Sequence, residues 1–99
     1  GIKRVFVETP EKCLRGKPLS VKVAVQGENN EIVSALLPVR VSVKDPQGKE
    51  SEYSDYYAAK DGRLDVSFTP ALNDSSGKWG IEVKELSGGI SSVVNFILE

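Results

Sequence analysis

The 14 acidic side chains of this 99-residue chain could in principle do acid–base work, but none stands in a motif that pairs it with a second catalytic group. There is no His at all, which removes the commonest general base and the commonest metal ligand together. A glycosidase needs two carboxyls held ~5–10 Å apart across a substrate cleft, and a domain of this length has little room to build one. A lone Cys cannot complete a structural zinc site, and no D-x-D-x-D-G loop is present to hold calcium. Asp61, Asp65, Asn73 and Asp74 could converge on a hard cation at loop ends, although solvated turn residues account for them without one. The residue types therefore predict no catalytic residues, no metal and no cofactor.

Three further features carry chemistry of a milder kind. Cys13 has no internal partner for a disulfide and no His to activate it, so the expectation is a small buried hydrophobe. Lys12 and Arg15 nearby could lower its pKa only weakly. Tyr53, Tyr56 and Tyr57, with Ser54 and Asp55 between them, form the candidate ligand-binding surface. Flat rings beside hydrogen-bonding groups suit a carbohydrate, or another protein. On a strand, Tyr53 and Tyr57 would share one face and Tyr56 the other, so at most two rings could make one platform. Alternatively the rings close the rim of the core. Trp79 alternates in phase with Ile81 and Val83, which predicts a ring inside the core rather than a sugar-stacking platform. Asn73-Asp74-Ser75 formally matches a glycosylation acceptor, but Asn and Asp bonding to their own backbone explain the same residues as a turn.

The elements that must position these residues are strands. Leu19, Val21, Val23 and Val25 alternate with polar residues, as do Leu37, Val39, Val41 and Val43. Leu64, Val66 and Phe68 repeat the pattern, and so do Trp79, Ile81 and Val83. Such alternation marks half-buried antiparallel strands. Two terminal segments are mixed. Residues 2–8 can turn either Val5 and Val7, or Ile2 and Phe6, inward. Residues 90–98 turn Ile90, Val94, Phe96 and Leu98 inward but leave Val93 and Ile97 on the other face, so that strand could touch a neighbouring domain. Pro38 cannot donate to a ladder and is expected at the start of its strand or at an edge. Asp45-Pro46-Gln47-Gly48, Asp61-Gly62, Asn73–Gly77 and Gly88-Gly89 punctuate the runs as turns. Six or seven short strands so spaced predict a β-sandwich or small barrel.

Composition bounds the rest. The length fits a single domain over residues 1–99, with 39% hydrophobic and 27% charged residues, as in ordinary folded proteins. A net charge of −1, spread without a steep gradient along the chain, offers no footprint for nucleic acid. No apolar run reaches the ~20 residues of a membrane-spanning helix, so membrane insertion is not expected. The chain begins at Gly1, lacks Met, and keeps apolar residues almost to Glu99. It reads as a piece of a longer polypeptide.

The order of these signals resembles a known pattern. Gly16-Lys17-Pro18 before a Val-rich strand resembles the turn entering the second strand of immunoglobulin-like domains. Val41-Ser42-Val43-Lys44-Asp45-Pro46-Gln47-Gly48 resembles a hairpin of macroglobulin-type domains, and Phe96-Ile97-Leu98-Glu99 is similar to their closing strand. Asn73-Asp74 followed by Gly77 and Trp79 is similar to segments in accessory domains of large bacterial extracellular proteins, some of them resembling glycoside hydrolases. Gly77 stands three residues after Asp74, and Ile81 stands where antibody variable domains carry Cys, so an antibody-type domain is disfavoured.

The resemblance implies an all-β, immunoglobulin-like antiparallel sandwich of about seven strands without a disulfide. It implies no catalytic residues and no cofactor. It implies a non-enzymatic module of a larger exported bacterial protein, in the periplasm, on the surface or outside the cell. The expected partners are neighbouring domains of the same chain. The other reading is a carbohydrate- or protein-binding module that uses the Tyr53–Tyr57 strip or the sandwich loops.

Overall fold

The alternating runs become strands in a computed structural model that describes residues 1–99. In chain order these are β1 (Ile2–Glu8), β2 (Lys12–Cys13), β3 (Leu19–Gly27), β4 (Leu37–Lys44), β5 (Asp55–Ala59), β6 (Arg63–Phe68), β7 (Gly77–Glu85) and β8 (Ile90–Leu98). They form a three-stranded sheet, β1-β3-β6, and a five-stranded sheet, β2-β8-β7-β4-β5. Every pairing is antiparallel except β2 with β8. The sequence predicts about seven strands, and the eighth is β2. Two residues are too few to display alternation, so only the pairing of Lys12 with Ile97 and Cys13 with Leu98 reveals it.

The inward residues of the two sheets meet in one core of 16 buried side chains. Val21, Val25, Val39, Val43, Ile81 and Val83 have no exposed surface. Trp79 and Phe96 lie side by side across the β7–β8 pair, their ring centroids 6.0 Å apart. Phe68 reaches Phe96 from the other sheet at 6.1 Å. Aromatic packing thus joins the two layers where a disulfide would in other sandwiches.

The ambiguous first strand is settled by a register shift between Ile2 and Arg4. Val5 is buried and Val7 half-buried, while the irregularity turns Ile2 back onto the core and leaves Phe6 outside. Pro38 sits second in β4, opposite Ala58, with its carbonyl accepting from the Leu86 amide at 2.9 Å. The strand-start position is the one where its missing N–H does least harm.

The Asp61-Gly62 turn carries the chain from one sheet to the other. Both residues have positive φ, 52° and 71°, a conformation that Asp tolerates and Gly adopts freely. The Gly62 amide donates to the Ala35 carbonyl at 3.0 Å, and its own carbonyl accepts from the Val25 amide at 2.8 Å. Asp45 performs the turn role expected of it, its Oδ1 accepting from the amides of Gln47 at 2.9 Å and Lys49 at 3.0 Å.

Candidate functional site

Of the three tyrosines, Tyr53 lies in the loop before β5 and points into the sandwich. Its ring stacks on Phe68 at 4.8 Å and leans on Trp79 at 6.2 Å. Its hydroxyl donates to Asp74 Oδ2 at 2.5 Å and accepts from the Ala71 amide at 2.9 Å. The same carboxylate oxygen accepts from the Ala71 amide at 2.8 Å, so three groups close a triangle between two loops. Burial, then the Asp74 carboxylate, push the Tyr53 phenol above its ordinary pKa.

Tyr57 is half-buried and packs against the core, whereas Tyr56 is 66% exposed on the outer side of β5. The Arg40 guanidinium covers one face of the Tyr56 ring at 4.5 Å while donating to Glu50 Oε1 at 2.7 Å. The Tyr56 amide donates to Asp55 Oδ1 at 2.8 Å, which occupies that N–H on the strand. The tyrosine strip is therefore divided. Two rings close the core rim and one faces solvent beside an arginine.

The residues with reactive potential are engaged in structural bonds. Cys13 is 7% exposed, and burial raises its thiol above the ordinary value, disfavouring the thiolate. Lys12 lies 3.8 Å from Glu99, and Arg15 donates to the Asp74 carbonyl at 3.3 Å, so both cations near the thiol have other partners. The Asn73–Ser75 turn holds the core, with the Trp79 indole N–H donating to the Ser75 carbonyl at 2.8 Å. No three His, Cys, Asp or Glu side chains gather where they could share a metal ion.

One residue escaped sequence reasoning. Glu85 is fully buried at the end of β7, and its carboxylate accepts from the Ser87 amide at 3.0 Å, the Ser87 hydroxyl at 2.5 Å and the Gly88 amide at 2.5 Å. Desolvation alone would raise its pKa, but the three donors outweigh it and the net shift is downward. The available signal was its place two residues beyond Val83, in phase with the buried face and ahead of Ser87-Gly88-Gly89.

The remaining candidate surface is the outer face of the five-stranded sheet. Val93 is 61% and Ile97 40% exposed there. Across the ladder Val93 opposes Glu82, and Ile97 opposes Lys78 on one side and Lys12 on the other.

No family profile matches the chain, and no curated protein matches it either. Solved structures do. The CARDB domain of a Pyrococcus furiosus protein, determined in complex with di-metal ions, is similar at TM-score 0.62 and 17% identity over 96% of this chain and 85% of that one. Superoxide reductase (neelaredoxin) from Ignicoccus hospitalis is similar at TM-score 0.67 and 14% identity, over 99% and 82% of the two chains. A β-glucosidase from Listeria innocua contains a similar portion, at TM-score 0.60 and 13% identity, covering 98% of this chain but 16% of the enzyme. At such identities the likeness is one of fold. The chain is an immunoglobulin-like β-sandwich, and nothing in these likenesses is particular to macroglobulin domains. An oxidoreductase among them shows that function on this architecture is decided by the residues present, not by the sandwich.

Proposed function

We propose that this sandwich is a non-catalytic structural module of a larger exported bacterial protein, which spaces and packs against a neighbouring domain. The observation that carries the reading is the exposed pair Val93 and Ile97 on the outer face of β8, with Ile97 beside the short β2 strand. Apolar side chains held outward by strand register favour a packed neighbour over open solvent. The β-glucosidase supports it by analogy, because a similar sandwich makes up 16% of that chain. The non-catalytic reading rests on the missing His and on the structural engagement of Asp74, Glu85 and Cys13. The finer affinity to macroglobulin-type domains rests on the Val41–Gly48 run and the Phe96–Glu99 end.

The test is to follow unfolding of this domain alone and within the whole polypeptide that its gene encodes. Packing against a neighbour raises its midpoint in the longer chain, or makes the two domains melt together. Identical, independent melting in both settings overturns the proposal.

A carbohydrate-binding role has one observation in its favour, the solvent-facing Tyr56 ring beside Arg40. A glycan array with the parent protein and Tyr56→Ala separates the two readings. Binding that depends on Tyr56 supports the second, and a blank array removes it for the glycans tested.

A further inference from the structure

We infer that the open edge of β8 is a self-pairing surface, at which a second copy of this chain adds its own β8 antiparallel across a two-fold axis at Val93. The pairing uses the edge of the strand rather than its outer face, so it stands apart from the domain packing proposed above.

The edge is open over one stretch. β2 covers only the end of β8, at Ile97 and Leu98, and β1 pairs with β3 in the other sheet. Burial follows the cover. Phe96 and Leu98 are each 1% exposed, whereas Ile90, Ser92 and Val94, which face the same way, are only half-buried. The hydrogen-bond phase of the edge is fixed where β2 meets it. The Ile97 amide donates to the Glu11 carbonyl at 2.8 Å, and the Glu99 amide to the Cys13 carbonyl at 2.9 Å. Odd-numbered residues of β8 therefore turn their main-chain groups away from β7. Ser91, Val93 and Asn95 present theirs where no strand is paired.

Free edges attract other chains, and proteins blunt them by keeping them short or by placing charge or Pro on them. The other edge strands here follow that rule. β2 has two residues, and β5 has five with Asp55 at its start. β1 carries Lys3, Arg4 and Glu8, and β6 carries Arg63 and Asp65. β8 does not follow it, since its nine residues from Ile90 to Leu98 include neither charge nor Pro. A bare row of N–H and C=O groups is complemented by extended backbone, and an uncharged strand meets itself without setting like charges opposite one another. The open groups are centred on Val93. A two-fold axis there lets the two Val93 residues exchange N–H···O=C bonds and sets each Ser91 opposite an Asn95 in the same phase. The side chains agree with that register. Val93, 61% exposed in the single chain, meets its own copy on the outer face, and the Ser91 hydroxyl meets the Asn95 amide.

The experiment is disulfide mapping in the whole gene-encoded polypeptide, read by peptide mass spectrometry. In a hydrogen-bonded antiparallel pair the two Cα atoms at position 93 lie ~5.5 Å apart, within reach of a disulfide. Val93→Cys, mildly oxidised and digested, should give a peptide linked to itself through position 93, a product that only two copies can make. Its yield should exceed that from exposed Lys22→Cys about tenfold, because pairing raises the local thiol concentration. Ser91→Pro in the Val93→Cys background removes an amide turned away from β7, and Ser91→Lys guards the edge with charge. Each should cut the self-link about tenfold. No self-linked peptide, a yield no greater than from Lys22→Cys, or a yield that neither Ser91 variant lowers overturns the proposal. Domain packing is read separately, by the melting comparison above.

Discussion

The Tyr53 hydroxyl donates to the Asp74 carboxylate at 2.5 Å, joining the loop before β5 to the loop before β7. The bond lies directly outside the Tyr53, Phe68 and Trp79 rings, so it shuts one end of the sandwich. Residues 21 apart in sequence are held there by a single charge-assisted hydrogen bond.

Tyr53→Phe keeps the stacked ring and removes the donor. A hydrogen bond to a charged, half-buried carboxylate is worth about 1.5–3 kcal/mol net, so the urea midpoint should fall accordingly, and Tyr53→Ala should fall further. Because the folded-state phenol titrates above its unfolded value, its contribution is complete below the ordinary pKa of 10.0 and is lost as pH rises beyond it. Cys13 acts in the same direction from its ordinary 9.0 upward. The parent should therefore lose stability on the alkaline side, and Tyr53→Phe combined with Cys13→Ala should flatten that limb. An unchanged alkaline limb in the double variant contradicts the assignment.

Glu85 has the opposite sign. Its folded-state pKa lies below the ordinary 4.5, so its contribution is present above that value and disappears as pH falls through the depressed one. Glu85→Gln puts an amide N–H₂ among three donors and should cost about 1–3 kcal/mol at neutral pH, with a shallower acid limb. Glu50, held low by its bond to Arg40, adds a smaller effect of the same sign from the surface. Equilibrium unfolding from pH 3 to 7, with Glu50→Gln as the comparison, measures both.

Gly62 and Gly48 offer a paired test of backbone space. Both have positive φ, 71° and 80°, but a Cβ on Gly62 would lie 2.3 Å from the Val33 carbonyl oxygen, while one on Gly48 meets nothing within 4 Å. Gly48→Ala should cost about 1–2 kcal/mol from conformation alone. Gly62→Ala should cost clearly more, because backbone must move. Equal thermal midpoints for the two variants would disprove the distinction.

Trp79→Ala should cost about 3–5 kcal/mol, enough to unfold much of an isolated small domain. The ring is 3% exposed, touches Phe96, and its N–H is bonded to Ser75. A chemical melt matching the parent's would remove Trp79 from the core.

Much of this was legible in the chain. Alternation placed Leu19 to Val25, Leu37 to Val43 and Trp79 to Val83 inward, and all of those odd-numbered residues are buried. It also placed Val93 and Ile97 outside, where they are. Less legible was the first strand, because one irregularity between Ile2 and Arg4 shifts the alternation, and irregularities leave no periodic trace. The division of the tyrosine strip was readable from the period of two, which set Tyr53 and Tyr57 apart from Tyr56. The bond of Tyr53 to Asp74 was not, because it depends on a loop conformation and on a residue far along the chain.

Sequence alone determined which side chains face inward on β3, β4, β6 and β7, because side-chain direction alternates with a period of two whatever the strand's neighbours. It determined the turns as well, through Asp, Asn, Pro and Gly chemistry that acts over four residues. Tertiary structure decided which outward residues share a face. Lys44 and Lys78 belong to different strands, and so do Val93 and Glu82. Only the order β2-β8-β7-β4-β5 places them on one surface. Groups far apart in the chain thereby stand side by side, since strand order rather than linear position sets which side chains share a face.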